Sequence, residues 1–294
     1  MNQQELVLAG KHGQLFEEES GIIPEGRARE WFEKVKEDPD NSYYWHLYSY
    51  CMMYDQRMFV EAMAAVSTAL TIAPLNPDYR FRKGWLYLKL NRFQEATAEF
   101  ALWVSLQPNS WSAIYHLAMA RFYTEDYSGA EALYERIYTC NDPTIDWPAV
   151  YHWHWLSLQM QGKPEQADAT LYRRDLSDAL EGEENPFGVK HKSPAYYMAC
   201  LVYKNIISPE GMLCHAKTKG NSYYSAIGTY MAIYYDMMGD CEKAIELYKE
   251  CIEIVDPDTP QVLTTVFARR RLRLLTGSKH FYNLEDDQDR KEDA

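Results

Sequence analysis

The chain has 294 residues, with 43 acidic and 30 basic side chains and a formal net charge of -13 at pH 7. This charge argues against nucleic acid as a partner and against general attraction to an anionic membrane, since both require a basic surface. No apolar stretch reaches the roughly 18 residues that a membrane-spanning helix needs.

The six cysteines form no CxxC pair, which argues against a zinc ribbon and a thioredoxin-like redox motif. Cys51, Cys200 and Cys251 lie in apolar helical runs and are predicted to be small core residues. The N-terminus has no basic start followed by an apolar run, so it does not read as a secretory signal. We expect a cytoplasmic protein with no metal and no cofactor.

In chain order, residues 1–42 form a lead followed by a capping helix. The helix covers residues 27–36 and places Ala28, Trp31, Phe32 and Val35 on one face. Asp38 and Pro39 follow it and end the periodic pattern.

A repeat of 34 residues then organises residues 43–140. Five positions of one copy, Phe59, Ala62, Val66, Ala69 and Pro74, return 34 residues later as Phe93, Ala96, Phe100, Trp103 and Pro108. A third copy is in register, and a fourth, looser copy is shifted by 37 residues, so four units span residues 43–180. The residues predicted to pack the helices of these units and of a later one are Ala62, Gly84, Tyr87, Ala96, Phe100, Ala118, Ala130, Tyr134, Gly162, Ala167, Gly239, Ala244 and Tyr248.

The remainder of the chain is less regular. Residues 181–192 are rich in charge and carry Gly and Pro, which predicts a loop. Residues 193–277 are predicted to form an irregular helix pair without the repeat phasing, one further repeat and a terminal helix. Residues 278–294 form an acidic tail.

The stretch 77–108 resembles one tetratricopeptide repeat (TPR) unit, with Gly84, Tyr87, Ala96, Phe100 and Pro108 at the signature offsets. The resemblance covers residues 43–175 and 221–257. It implies an all-α solenoid, a right-handed superhelix of helix-turn-helix repeats with about fourteen helices. The order of regular and irregular units is also similar to bacterial TPR adaptors of the NlpI type, which are dimeric scaffolds.

The resemblance implies that the first helix of each unit lines a concave groove. The residues at these phases are Tyr44, Tyr48, Phe81, Arg82, Trp85, Lys89, Tyr115, His116, Met119, Phe122, Tyr123, His152 and Trp153. We predict that this aromatic groove binds an extended or helical apolar peptide, with Arg82 or Lys89 pairing an acidic group. The alternative is that single rings fill the interior of a tight superhelix.

Three groups of residues could have a role other than binding a peptide in the groove. His152 and His154 are two residues apart, so they diverge on a helix and are predicted to be structural rather than metal ligands. Cys214 and His215 diverge in the same way. The arginines at 269, 270, 271 and 273 are predicted to pair with the acidic tail or an acidic partner, or to form a solvated helix end.

The pattern therefore favours a non-enzymatic scaffold or adaptor that binds a protein or peptide. One alternative is a sensor of a small ligand or peptide signal. Another is a helical-repeat enzyme, or its accessory subunit, that uses Tyr115, His116 and His152. A homodimer formed through residues 193–218 or through the terminal helix is also open.

Overall fold

The structure is a computed structural model that describes residues 25–173, 194–254 and 263–277. These ranges contain fourteen α-helices and no strand, which confirms the predicted all-α fold. The chain divides into two compact units between Ala120 and Arg121. The predicted loop at 181–192 and the acidic tail at 278–294 lie outside the described residues.

Unit 1 is built from antiparallel helix pairs. Its helices are α1 (Gly26–Glu37), α2 (Ser42–Tyr54), α3 (Phe59–Ile72), α4 (Pro77–Lys89), α5 (Phe93–Leu106) and the start of α6 (Trp111–Tyr123), which continues into unit 2. From α1 to α5 each helix packs against the next, and α2 also contacts α4. Helix α1 buries Ala28, Phe32 and Val35 of the predicted apolar face, whereas Trp31 of that face is only partly buried.

Polar caps fix where helices α2 and α4 of unit 1 begin. The Asn41 side chain accepts a hydrogen bond from the backbone N–H of Tyr43 ahead of α2. Asn76 does the same for Asp78 ahead of α4, where Pro77 occupies the first turn. Each cap satisfies a backbone donor that has no partner within the helix.

Unit 2 continues the pairing of successive helices. Its helices after α6 are α7 (Tyr127–Ile137), α8 (Trp147–Gln159), α9 (Pro164–Thr170), α10 (Pro194–Tyr203), α11 (Pro209–Lys217), α12 (Asn221–Met237), α13 (Cys241–Glu253) and α14 (Leu263–Thr276). Contacts also join α8 to α10, α10 to α12 and α12 to α14. None of the helices in the described ranges is both long and apolar enough to cross a membrane.

The predicted packing positions are mostly buried. Nine of them have no exposed surface, namely Ala62, Ala96, Phe100, Ala118, Ala130, Tyr134, Ala167, Ala244 and Tyr248. Gly84 is buried against Phe100. Tyr87 remains partly exposed, and its ring lies 4.7 Å from the guanidinium carbon of Arg92. Small residues at helix crossings and large rings between them thus account for the 34-residue register.

A left-handed residue ends the first helix of each repeat. These residues are Arg57, Asn91, Glu125, Gly162 and Gly239, with φ between 57° and 81°. After Asn91, the N–H of Arg92 donates to the carbonyl of Tyr87, 2.9 Å away. This bond closes the helix end in a Schellman-type turn, which a residue with positive φ permits.

The same turn occurs in the helix pair α10–α11, which was predicted to lack the spacing of the repeats. Asn205 has φ 57°, and the N–H of Ile206 donates to the carbonyl of Leu201 at 2.9 Å. The two turns differ in where the following helix begins. In the repeat, Arg92, directly after Asn91, is the N-cap residue, whereas the N-cap residue of α11 is Ser208 rather than Ile206. Two additional turn residues therefore displaced the sequence register without changing the turn itself.

Candidate partner-binding surface

The residues predicted to line the groove fall into two classes by burial. The partly exposed class is Tyr44, Phe81, Trp85, Lys89 and His116. The buried class is Tyr48, Arg82, Tyr115, Met119, Phe122, Tyr123, His152 and Trp153. Rings of the buried class fill the interior, as the alternative reading predicted, so they offer little surface to a partner.

The contacts of the buried rings explain their position. In unit 1 the ring of Tyr48 packs 5.1 Å from Phe32, between α1 and α2. In unit 2 the ring of Trp153 lies 5.2 Å from Phe122 and 5.5 Å from Tyr123. Phe267 of α14 packs against the same two rings of α6. The terminal helix therefore covers positions that the repeat register predicts to face a groove.

Five rings of unit 1 form what we call the aromatic cluster: Phe81, Trp85, Phe100, Trp103 and His116. The imidazole of His116 is at its centre, with ring centroids 5.0 Å from Phe81 and 5.6 Å from both Trp85 and Trp103. Phe100 and Trp103 are buried in α5 and form the base of the cluster. Phe81, Trp85 and His116 reach the surface from α4 and α6.

His116 is a neutral hydrogen-bonding group within this cluster. Its Nδ1 lies 2.7 Å from the carbonyl oxygen of Ser112, and because a carbonyl only accepts, Nδ1 carries the proton. Burial lowers the pKa of His116 to about 4. The ring is therefore uncharged at neutral pH, and its Nε2 is an acceptor.

Arg82 lies beside the cluster, in a pocket of aromatic rings. Its guanidinium carbon is 4.7 Å from the ring centroid of Tyr50 and 5.3 Å from that of Tyr54. The side chain is only 6% exposed, and its Nε and Nη1 atoms make no hydrogen bond within the described residues. The rings attract the cation, but they cannot satisfy its N–H donors.

Neighbouring cations of α4 differ from Arg82 because they are paired. Glu99 of α5 accepts Arg80 at 2.8 Å and Lys83 at 3.0 Å. Among the described residues, no carboxylate lies within ion-pair distance of Arg82. Lys89 has its ammonium 5.9 Å from the Trp85 ring centroid, and burial lowers the pKa of Lys89 to about 8.

Tyr50 and Tyr54 were not among the predicted site residues. They are 37% and 47% exposed, and their ring centroids are 4.7 Å apart. They are four residues apart on α2, so they share one helix face. That spacing was available in the sequence, but their contact with Arg82 depends on how α2 packs against α4.

The histidines of α8 are structural in unit 2. His152 is fully buried, with its Nδ1 2.9 Å from the hydroxyl of Tyr203, and burial lowers the pKa of His152 to about 3. His154 is also fully buried, and its Nδ1 lies 3.2 Å from the hydroxyl of Tyr138. The prediction that His152 faces a groove is therefore wrong, because α10 packs over it.

The structure also gives the positions of the cysteines and of His215. Cys51, Cys200 and Cys251 are buried, as predicted. Cys214 is exposed whereas His215 is buried, so the two diverge. Within the described ranges, no group of three or more His, Cys, Asp or Glu side chains is placed to hold a metal ion.

The arginines of α14 do not act as one cluster. Arg271 donates from Nε at 3.1 Å and from Nη2 at 2.6 Å to Asp236 of α12. The predicted contact of these arginines with the acidic tail lies outside the described residues. Arg273 is exposed near the end of α14.

Comparisons with known proteins give a likeness of fold. No protein-family model matches the chain, and a search of curated proteins found no match. A tetratricopeptide repeat protein from Parabacteroides merdae aligns with TM-score 0.54 and 12% identity, over 94% of this chain and 99% of the other.

Two further solved structures are similar at lower scores. YrrB, a TPR protein with an unusual peptide-binding site, has TM-score 0.44 and 12% identity over 83% of this chain and 99% of its own. PilW, a type IV pilus biogenesis factor, has TM-score 0.46 and 15% identity over 90% and 94%. The likeness to adaptors of the NlpI type stays a prediction. The helix pairs, their turns and the Parabacteroides structure together show that the chain has the tetratricopeptide repeat fold.

Proposed function

We propose that this protein is a non-enzymatic scaffold that binds a segment of a partner protein on unit 1. The contact surface consists of the outer edges of Phe81, Trp85 and His116, with Tyr50 and Tyr54 beside them. The observation that carries the proposal is the aromatic cluster, in which partly exposed rings stand on the buried base of Phe100 and Trp103.

A ring that is fixed from below loses little conformational freedom when a partner covers it. Phe81 lies 4.9 Å from Trp103 and 6.2 Å from Trp85, so its position is set before binding. Preorganised aromatic residues are the usual anchors of protein interfaces. This favours recognition of a short apolar segment over a broad, weak contact.

The neutral His116 supplies a polar contact within the apolar surface. With its proton on Nδ1, the ring presents Nε2 as an acceptor for a donor of the bound segment. A backbone N–H of an extended peptide has this chemistry. The combination of aromatic anchors and one acceptor matches a peptide better than an aliphatic small molecule.

The test is selection of peptides from a random display library on the immobilised full chain, followed by calorimetric measurement of affinity. Trp85→Ala is expected to weaken the selected peptides at least about tenfold, the scale of an anchor residue. Leu102→Ala is the matched control, because Leu102 is an exposed apolar residue on α5 outside this surface. Equal affinity for the Trp85→Ala variant and the unmodified chain would overturn the proposal.

A further inference from the structure

We infer that Arg82 is the receptor for a single carboxylate, the side chain of an Asp or Glu residue in the bound segment. This inference rests on the proposed function, because the carboxylate belongs to the segment that covers the aromatic cluster. The site consists of Arg82 on α4 and of Tyr50 and Tyr54 on α2. Phe81 closes it on the side of the cluster, 5.9 Å from the guanidinium carbon.

The first argument is the unmet hydrogen bonding of Arg82. A buried charged group is normally paired and hydrogen-bonded, because removing it from water is costly. Arg82 is 6% exposed, and its Nε and Nη1 have no hydrogen-bond partner among the described residues. Contact with the tyrosine faces offsets part of the cost but leaves the N–H donors unused. A carboxylate would accept one of these donors together with the neighbouring N–H of Nη2, in the forked geometry that guanidinium favours.

The second argument concerns access. The rings that cover Arg82 are the exposed Tyr50 and Tyr54, which pack against each other on one face of α2. A ligand reaches the guanidinium by displacing two surface rings rather than a core residue. The same rings then flank the bound carboxylate and exclude water from the ion pair.

The third argument is charge. Arg80 and Lys83 are already paired with Glu99, so they add no free positive charge. His46 precedes Tyr50 by four residues, so it lies on the same face of α2. Burial first, and then the charge of Arg82, lower the pKa of His46 to about 4, so it is neutral at pH 7. Among the described residues, Arg82 is the cation that contacts Tyr50 and Tyr54. A single cation matches a monoanion such as a carboxylate, and not a phosphate dianion.

The first measurement uses the full chain labelled with ¹⁵N and follows the Nε–H resonance of Arg82 by NMR. The probes are the N-acetyl, N′-methylamide of glutamate, the same derivative of glutamine, and inorganic phosphate. We expect the glutamate probe to shift the resonance saturably and the glutamine probe to leave it in place. Equal shifts from glutamate and glutamine, or tighter binding of phosphate, would overturn the inference.

The second measurement separates a ligand site from a structural role. Arg82→Met keeps an unbranched apolar side chain and removes the guanidinium with its charge, so we expect an unchanged or higher Tm together with loss of glutamate binding. A structural arginine would instead lower the Tm when replaced. Arg92→Met is the control, because Arg92 is exposed and pairs with Glu95 three residues away. A lowered Tm for Arg82→Met with glutamate binding retained would overturn the inference.

The peptides selected on the full chain distinguish this inference from the proposed function. An acidic peptide is expected to lose at least about tenfold in affinity with Arg82→Met, as a truncated interfacial ion pair does. If Trp85→Ala weakens the peptide and Arg82→Met does not, the carboxylate site fails and the peptide-binding surface stands. If Trp85→Ala has no effect, the proposed function itself fails.

Discussion

The ring of Phe100 occupies the space into which a Cβ at residue 84 would project. A Cβ built on Gly84 would lie 2.6 Å from Cε1 of Phe100, closer than real Cβ contacts. The two residues stand on the paired helices α4 and α5, and Phe100 has no exposed surface. The absence of a side chain at residue 84 therefore sets the spacing of this helix pair.

Gly84→Ala is predicted to destabilise unit 1. Alanine gains about 1 kcal/mol over glycine in a helix interior. Overpacking a filled core costs about 1–3 kcal/mol, and the buried ring of Phe100 has little room to move. The net effect is a loss of up to about 2 kcal/mol in the free energy of unfolding, measured by denaturant titration.

The double variant Gly84→Ala with Phe100→Leu tests whether the ring is the cause. Leucine is smaller than phenylalanine, so the added methyl group and the vacated space should partly compensate. We expect the double variant to be more stable than the sum of the two single effects predicts. Strict additivity would mean that Gly84 is needed for another reason.

Glu125→Gly is predicted to stabilise the turn between α6 and α7. Glu125 is exposed and has φ 66°, a left-handed conformation that costs a residue with a side chain about 1–2 kcal/mol. Glycine adopts this φ without that cost but is freer in the unfolded chain, so the expected gain is about 0.5–1 kcal/mol. Gly239→Ala, at φ 81°, should have the opposite sign. Two changes of the same sign in denaturant titration would contradict this account of the turns.

The ion pair between Arg271 and Asp236 is predicted to hold α14 against α12. Both side chains are largely buried, so removing one partner leaves an uncompensated charge. We expect Arg271→Met or Asp236→Leu alone to lower the free energy of unfolding by about 3 kcal/mol. The double variant should recover most of the loss. If the double loss equals the sum of the single losses, the pair is not energetically coupled.

Acid should destabilise the fold through the buried histidines. The pKa of His152 is about 3 in the folded protein, because of burial, against 6.5 for an unperturbed histidine. Below pH 6.5 the unfolded chain therefore binds a proton that the folded chain does not. The stability from this group is complete above that pH and falls by about 1.4 kcal/mol per pH unit toward pH 3.

The variant His152→Asn isolates that contribution. Its free energy of unfolding should be lower than that of the unmodified chain at pH 7, but should depend less on pH between 6 and 4. The other buried histidines remain in both proteins, so their effects cancel in the comparison. Parallel pH profiles for the two proteins would show that His152 is protonated in the folded state.

The repeat register could be predicted because small residues recur at the positions where helices cross. Gly84, Ala96 and Ala118 recur with large rings between them, and the structure buries all of them. The turn of α10–α11 was missed because two added residues between Asn205 and Ser208 shift the spacing. The helix pair α10–α11 therefore has the same turn as the repeats, but not the 34-residue spacing from which the turn could have been predicted.

The candidate surface could be predicted only in part from the sequence. Helix periodicity gives the face on which a residue lies, but not what packs over that face. His152 and Trp153 have the phase of groove residues, yet Tyr203 and Tyr230 from later helices cover them. Conversely, the contacts of Tyr50 and Tyr54 with Arg82 depend on how α2 packs against α4, which the sequence does not specify.

The most direct test of the proposed surface is an NMR map of amide shifts in the ¹⁵N-labelled full chain, titrated with a peptide selected by display. The proposal predicts saturable shifts concentrated at residues 46–54, 78–89 and 112–116, and their loss in Trp85→Ala. Saturable shifts confined to α10–α14 with these three segments unchanged would contradict it.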